Sequence, residues 1–282
     1  EYYRKEIRVP FENTEIPVPV EYDAILKIKY GYYMIPVHNW DTHEYPFFVK
    51  QKKHCIDEGT QFNDYKDTYN DYIQYKEQNS AMRKAKKIIK DFNGDTHKTV
   101  LFLSYKAENW NTMDNIYKKY CQEKDIKVIV QCVPYYYKNI DGTFEKYIDG
   151  GMYPEYVTIT PIEDYNYVNE NPDVIVFQYP YDNYNSAGTT DPVFYSYNLA
   201  SHTQKLIYIP YFRTDEIDEN DMRAYTNMDA YVTMPGVVYA DKVIVQSEEI
   251  RKLYIKKLTD FFGEESEDEW EDKIEAEDIG GI

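Results

Sequence analysis

The residues best suited to chemistry in this chain stand just past short runs rich in β-branched side chains: Lys106, Tyr135, Asp182, Asn185, Tyr211, Arg213 and Ser247. A lysine offers phosphate a point charge, and an arginine offers a planar fork that grips two oxygens at once. Tyr135 and Tyr211 each carry an apolar ring with a polar handle. The stretch Tyr179-Pro-Tyr-Asp182-Asn-Tyr-Asn185 puts a carboxylate and two amides in one loop, a set that suits polyol or sugar hydroxyls. The same Asp and Asn residues also suit turn geometry alone. Ser247, followed by Glu248 and Glu249, opens a helix; its role is either a plain cap or the mouth of a phosphate-binding N-terminus. Taken together, these types point to recognition of a phosphorylated, hydroxyl-rich molecule.

No stronger catalytic signature competes with this set, and no catalytic residue is assigned. The first strand-like run leads into Ser104-Tyr-Lys-Ala107 without a Gly-x-Gly-x-x-Gly, so a dinucleotide cradle is not supported. A Walker loop and a Gly-x-Ser-x-Gly elbow are also missing from the sequence. His38 and His43 lie five apart and His54 stands alone, so the i, i+4 pair of a helical zinc site is absent. Neither a metal nor a cofactor is expected. His202, in a helical stretch before the Leu206 run, is the fallback for a base, although its ordinary reading is a surface histidine.

The elements that must position these side chains follow from periodicity. Runs at Thr99–Ser104, Ile126–Val133, Val174–Gln178, Leu206–Ile209 and Val243–Gln246 alternate with helical stretches, the pattern of a parallel sheet covered on both faces. Its expected core includes Leu101, Leu103, Val128, Val130, Ile175, Phe177, Ile207, Ile209 and Ile244. Trp110, Met113, Ile116, Tyr117 and Tyr120 fall on one helical face opened by Asn111, and Ile250, Leu253, Tyr254, Lys257 and Leu258 on another. Phe62 to Phe92 lacks Gly and Pro and runs from acidic to basic, as a helix dipole favours, before Asn93-Gly94. Residues 1–57 read as an irregular tail with one short helix near Glu21–Tyr30, stopped by Gly31. The acidic run from Gly263 to Asp278 reads as a solvated helix or tail. The fold class is therefore α/β with a Rossmann-like parallel sheet and flanking helices. Its divisions are 1–57 as tail, 58–93 as helical linker and 94–282 as the Rossmann-like lobe.

Composition limits the partners. A formal net charge of -18 repels phosphate backbones and anionic headgroups at long range, so nucleic acid is not an expected partner. No apolar run approaches the roughly 20 residues of a spanning helix, so no integral membrane segment is expected. Cys55, Cys121 and Cys132 form no Cys-x-x-Cys pair and fit a reducing compartment. Glu1 starts without a leader pattern, and the natural N-terminus is expected upstream. A cytoplasmic site follows, with a peripheral position at the inner face of the membrane as its extension. The 33 tyrosines are either a sugar-stacking lining or the compositional drift of an AT-rich genome.

Six phrases in order then carry a resemblance. Phe102-Leu-Ser-Tyr-Lys-Ala-Glu-Asn-Trp, Val133-Pro-Tyr-Tyr-Tyr, Asn171-Pro-Asp-Val-Ile, Tyr179-Pro-Tyr-Asp, Leu206-Ile-Tyr-Ile-Pro-Tyr-Phe and Ala240-Asp-Lys-Val-Ile-Val-Gln-Ser-Glu together resemble the amino-terminal half of CDP-glycerol glycerophosphotransferase-like proteins, over residues 98–275. The resemblance implies one lobe of a two-lobed GT-B fold. This lobe would face a polyol-phosphate or glycan acceptor of teichoic-acid type, while a missing lobe would hold CDP-glycerol or a related CDP-linked donor. Family members that polymerise teichoic acid carry Trp-His-Gly-Thr after a strand of this lobe; here the comparable strand end reads Tyr208-Ile-Pro-Tyr-Phe-Arg213. Upstream, Phe11-Glu-Asn-Thr-Glu-Ile-Pro-Val-Pro, Tyr22-Asp-Ala-Ile-Leu, Tyr30-Gly-Tyr-Tyr-Met-Ile-Pro and His43-Glu-Tyr-Pro resemble the end of a LicD-type phosphocholine transferase domain, over residues 8–55. That resemblance leaves the family's paired acids upstream of Glu1, and Tyr32 stands where an acidic residue is usual. Three functions follow as expectations: a glycerophosphate transferase fragment, a non-catalytic acceptor-binding or scaffolding module, and phosphocholine transfer by an upstream domain.

Overall fold

The structure, a computed structural model, describes residues 5–11, 14–30, 65–92, 98–139, 143–185, 187–215, 217 and 221–280. The chain divides into two units, Glu1–Asn63 and Asp64–Ile282. In the first, β1 (Glu6–Phe11) and β2 (Thr14–Pro19) pair antiparallel, and α1 (Tyr22–Tyr30) follows. The sequence alone predicts an irregular tail apart from the helix. Pro10, Pro17 and Pro19 disguise the hairpin, yet a two-stranded ribbon consists only of edges, where a missing N–H is tolerated. The expected stop at Gly31 and the rest of the tail to residue 57 lie outside the described residues, as does Asn93-Gly94.

The second unit opens with the 28-residue α2 (Tyr65–Phe92). Then come β3 (Lys98–Ser104), α3 (Asn111–Gln122), β4 (Ile126–Cys132), the hairpin strands β5 (Tyr135–Lys138) and β6 (Phe144–Tyr147), α4 (Tyr167–Glu170) and β7 (Val174–Phe177). β8 (Gly188–Thr190), α5 (Ser196–Ser201), β9 (Lys205–Tyr208), α6 (Met222–Asn227), α7 (Asp229–Val232), α8 (Pro235–Tyr239) and β10 (Lys242–Val245) follow. The chain ends on α9 (Glu248–Phe262), α10 (Glu267–Lys273) and β11 (Ile274–Ala276).

Six strands form one parallel sheet in the order β11-β10-β9-β7-β3-β4, and β6-β5-β8 form a small antiparallel sheet. A single parallel bridge from Val130 to Ile159 adds a rudimentary neighbour outside β4. Counted as a third strand, it makes the order 3-2-1-4-5-6-7 along the chain, the Rossmann pattern, with the switch in winding direction between β3 and β7. The strands are apolar on both sides because helices cover both faces: Leu101, Leu103, Ile175 and Phe177 join one core cluster, and Val100, Phe102, Val174 and Ile207 the other. Of the expected core, only Val128 is half-buried; Leu101, Leu103, Val130, Ile175, Phe177, Ile207, Ile209 and Ile244 are buried. This is the Rossmann-like α/β fold read from the sequence.

Two segments are more firmly built in than their sequences suggested. The acidic stretch after Gly263 is not a solvated tail. Trp270 is fully buried against Phe262 and Tyr72 (ring centroids 5.1 and 5.5 Å), and Ile274 begins the sheet's edge strand. One large aromatic and three paired residues offset the surrounding charge. Helix α2, expected as a linker, lies along the amino-terminal ends of the strands. Lys90 pairs with Asp173 at 2.7 Å, Arg83 with Asp241 at 2.6 Å, and Lys86 donates to the Ser201 carbonyl. Asp173 also accepts from Thr99 N–H and Asp241 from Leu206 N–H, so both carboxylates join the helix to strand starts.

Candidate functional site

In open α/β sheets, ligands bind outside the carboxyl ends of the strands at the switch in winding direction. Here that crevice lies beyond β3 and β7, and Gln178 locks it. Its side chain is fully buried, accepts from Tyr105 N–H at 3.0 Å and donates to the Asn109 carbonyl and the Thr112 hydroxyl, both at 2.9 Å. The loop after β3 is thereby fixed, and Tyr105 fills the crevice where a dinucleotide fold would place glycines. Its ring packs on Tyr135 (4.9 Å), Tyr179 (5.0 Å) and Tyr211 (5.2 Å), which come from the ends of three other strands. Burial pushes the Tyr105, Tyr135, Tyr179 and Tyr181 phenols above the ordinary tyrosine range. At neutral pH they are therefore donors and stacking surfaces, not bases.

Beside this cluster opens a cleft of about 430 Å³, formed by the loop after β3, the β5–β6 hairpin and the segment Asp149–Met152. The hairpin register places Tyr135 opposite Tyr147, and with Tyr137 two residues on, all three rings share one face. Tyr135 is buried, whereas Tyr137 and Tyr147 are each 43% exposed and present their rings to the cleft. Lys106 Nζ lies 5.4 Å from the centres of both the Tyr105 and Tyr135 rings, a cation–π position, and 3.6 Å from Glu108. Asp149 accepts from Ala107 N–H at 2.6 Å, which ties the hairpin's exit to the β3 loop. Gly151 permits that approach: a Cβ there would fall 2.7 Å from the Ala107 Cβ. The result is one cation, two carboxylates and three tyrosines around a space of small-ligand size.

The seven residues singled out by sequence divide into two groups. Lys106 and Tyr135 line the cleft, and Tyr211 joins them through Tyr105 while its hydroxyl meets that of Tyr181 at 3.4 Å. Asp182 is 4% exposed, sits in the left-handed region (φ 49°), and accepts from the Ser196 N–H and hydroxyl at 2.8–2.9 Å. Burial pushes its carboxyl up to about 6, against the pull of the Ser196 hydrogen bonds. Asn185 accepts from Ala187 N–H, the local turn bond of its side-chain type. Arg213 donates to the Gly280 carbonyl at 3.0 Å, and Ser247 caps α9 through Ile250 N–H at 3.3 Å. His202 holds the Asn198 carbonyl at 2.9 Å with a ring nitrogen, at the end of α5 that leads into β9, on the opposite side of the sheet from the cleft.

Tyr105, Gln178, Tyr147 and Asp149 are not among the site residues that the sequence singles out. The Gly150-Gly151 pair directly after Asp149 was the one local signal of a close backbone approach. Among the described residues no group of three or more His, Cys, Asp or Glu side chains could hold a metal ion, and no helix is long and apolar enough to cross a membrane. Compared with protein-family models, curated proteins and solved structures, the chain finds no match.

Proposed function

We propose that the Rossmann-like unit is the acceptor-binding lobe of a transferase that moves glycerophosphate, or a related polyol phosphate, from a CDP-linked donor to a teichoic-acid-like acceptor. The observation that carries this reading is the cleft at the carboxyl ends of the strands, in which Lys106 stands among Tyr135, Tyr137 and Tyr147 with Asp149 and Glu108 at its rim. Tyrosine faces stack on the C–H surfaces of a polyol or sugar, carboxylates accept from its hydroxyls, and the ammonium meets its phosphate. The sequence resemblance supplies the donor and the GT-B frame. In the transfer, an acceptor hydroxyl attacks the donor's β-phosphorus in line, the new P–O bond forms as the bond to the CMP oxygen breaks, CMP leaves, and the hydroxyl's proton passes to water late in the step. This lobe's part is positioning, a large share of any phosphoryl-transfer rate.

A non-catalytic acceptor-binding module is the second reading. It is favoured by the protonated phenols around the crevice and by the position of His202 away from the cleft. The two share a first test. The purified chain is titrated with a short poly(glycerol phosphate) and with an uncharged glycan of similar length, using calorimetry. Binding of the anionic oligomer is expected, and Lys106→Ala should weaken it about five- to tenfold, equivalent to about 1–1.4 kcal/mol, without lowering the melting temperature. An affinity indifferent to both Lys106→Ala and Tyr147→Ala would remove the cleft from the proposal. Turnover of CDP-glycerol, measured as CMP released when a donor-binding lobe accompanies this one but not from the isolated lobe, separates the transferase from the module.

A further inference from the structure

The tyrosine cleft leaves one charge unanswered. Its cation, Lys106, stands 3.6 Å from Glu108 and over the faces of Tyr105 and Tyr135. Its other carboxylate, Asp149, is half-buried and lines the same space. Asp149 Oδ2 accepts from Ala107 N–H, a neutral donor, and among the described residues neither of its oxygens is paired with a cationic side chain. A carboxylate partly withdrawn from water is favoured in its ionised form by an opposite charge close by. Here that charge is left for a ligand to bring.

The hairpin wall adds groups of the same preference. Tyr137 and Tyr147 come from paired strands, lie 6.2 Å apart between ring centroids at an interplanar angle of 64°, and both rest on the buried Tyr135, at 5.4 and 5.0 Å. An aromatic face is the negative lobe of the ring quadrupole and attracts cations, as Lys106 shows over Tyr105 and Tyr135. Those two rings already serve the protein's own ammonium. Among the described residues no lysine or arginine lies over Tyr137 or Tyr147, whose rings reach the cleft. Met152, exposed at the rim, gives an alkyl chain an apolar contact. A neutral polyol would meet these rings and this carboxylate only through C–H surfaces and hydroxyls, whereas an ammonium group draws on the ring quadrupoles and the charge of Asp149 together.

We infer that the cleft selects an acceptor that bears an ammonium group beside its phosphate, with Lys106 meeting the phosphate and Asp149, Tyr137 and Tyr147 meeting the ammonium. The inference rests on the acceptor reading for its place and adds the chemical class of the ligand. Calorimetry on the purified chain compares phosphoethanolamine with ethyl phosphate, the same ester without its amine, and with glycerol 3-phosphate. Phosphoethanolamine should bind about tenfold more tightly than ethyl phosphate. Asp149→Asn keeps an oxygen for Ala107 N–H and removes the charge. It should weaken phosphoethanolamine about five- to tenfold while leaving ethyl phosphate unchanged or slightly tighter, a contrast that general loosening of the cleft does not produce. Tyr147→Leu, at a half-exposed ring, should weaken phosphoethanolamine about threefold. Melting curves verify both folds, and if the asparagine variant unfolds, the ratio of the two ester affinities in Tyr147→Leu decides alone. Equal wild-type affinity for phosphoethanolamine and ethyl phosphate would overturn the inference; if all three esters still weaken with Lys106→Ala, the acceptor reading stands without it. Absence of binding by every ester would remove both. A preference for phosphoethanolamine that survives Asp149→Asn and Tyr147→Leu would place the ammonium elsewhere and overturn the assignment.

Discussion

Replacing Asp182 with asparagine separates a carboxylate that binds ligand from one that builds a turn. Its carboxyl is 4% exposed and pushed up from 3.8 to about 6 by burial, despite two donors from Ser196. Such a displacement means that the ionised form is held at a cost of about 3 kcal/mol relative to the protonated form. Between 3.8 and 6 the folded chain binds more protons at this position than the unfolded chain, so this group's contribution to stability falls as pH rises through that window and stays low above it. Asparagine removes the charge, keeps an oxygen for the Ser196 N–H, can donate to the Ser196 hydroxyl, and tolerates the positive φ of 49°. Asp182→Asn should therefore match or exceed wild-type stability at pH 7, by up to about 2 kcal/mol, whereas Asp182→Ala should lose about 1–3 kcal/mol by leaving both Ser196 donors unpaired. Urea denaturation of the three proteins from pH 5 to 8 measures this, and the gain from asparagine should shrink toward pH 5 as the wild-type carboxyl takes up its proton. An asparagine variant at least 1 kcal/mol weaker than wild type at every pH would refute the reasoning. A variant of unchanged stability that loses acceptor affinity would restore Asp182 to the site.

Lys273 is held by burial at about 7, below its ordinary 10.5, against the raising influence of Glu269 and Asp241. The unfolded chain binds the extra proton between those values, so stability should rise by about 1 kcal/mol per pH unit from 7 to 9; Lys273→Met should flatten that slope, and an unchanged slope would refute the assignment. A Cβ at Gly236 would lie 2.4 Å from the Pro180 Cα, across the contact in which Gly236 N–H meets the Pro180 carbonyl. Gly236→Ala should cost about 1–3 kcal/mol as overpacking, seen as a lower urea midpoint, and an unmoved midpoint would show that the loop after β7 yields freely.

How legible the fold was depended on how each element is buried. Strands β3, β4, β7, β9 and β10 are covered on both faces and so are written as apolar runs, which a reader of sequence can find. β11 has three residues, one of them Glu275, and joins by backbone pairing with β10, so nothing in Ile-Glu-Ala marks it as a strand. The hairpin β5–β6 was hidden for a different reason: Tyr135, Tyr137 and Tyr147 share one face with Glu145, while Tyr136, Lys138, Phe144 and Lys146 make up the other, and no polar–apolar alternation results. At the site, sequence could place Lys106, Asp182, Arg213 and Ser247 past strand ends but could not say which polar atoms the turns would consume. Asp182, Asn185 and Ser247 are turn and cap formers by type, and in the structure their side chains make the local or buried bonds those types favour.

The chemistry at the carboxyl ends of the strands constrains how a transfer there could proceed. A general base must reach the acceptor hydroxyl directly or through one water. The crevice phenols hold their protons, Asp182 is enclosed beneath Ser196, and His202 lies on the far side of the sheet. Glu108 and Asp149 are the carboxylates at the cleft, and Asp149 already accepts from Ala107 N–H. Transfer of a phosphoryl group through a loose transition state leaves the attacking hydroxyl with its proton until late, so alignment and charge compensation matter more than a strong base. A lobe that offers stacking surfaces, one ammonium and two carboxylates is suited to that division of labour. The same lobe would serve poorly in a reaction, such as acyl transfer, that demands an activated nucleophile from the protein.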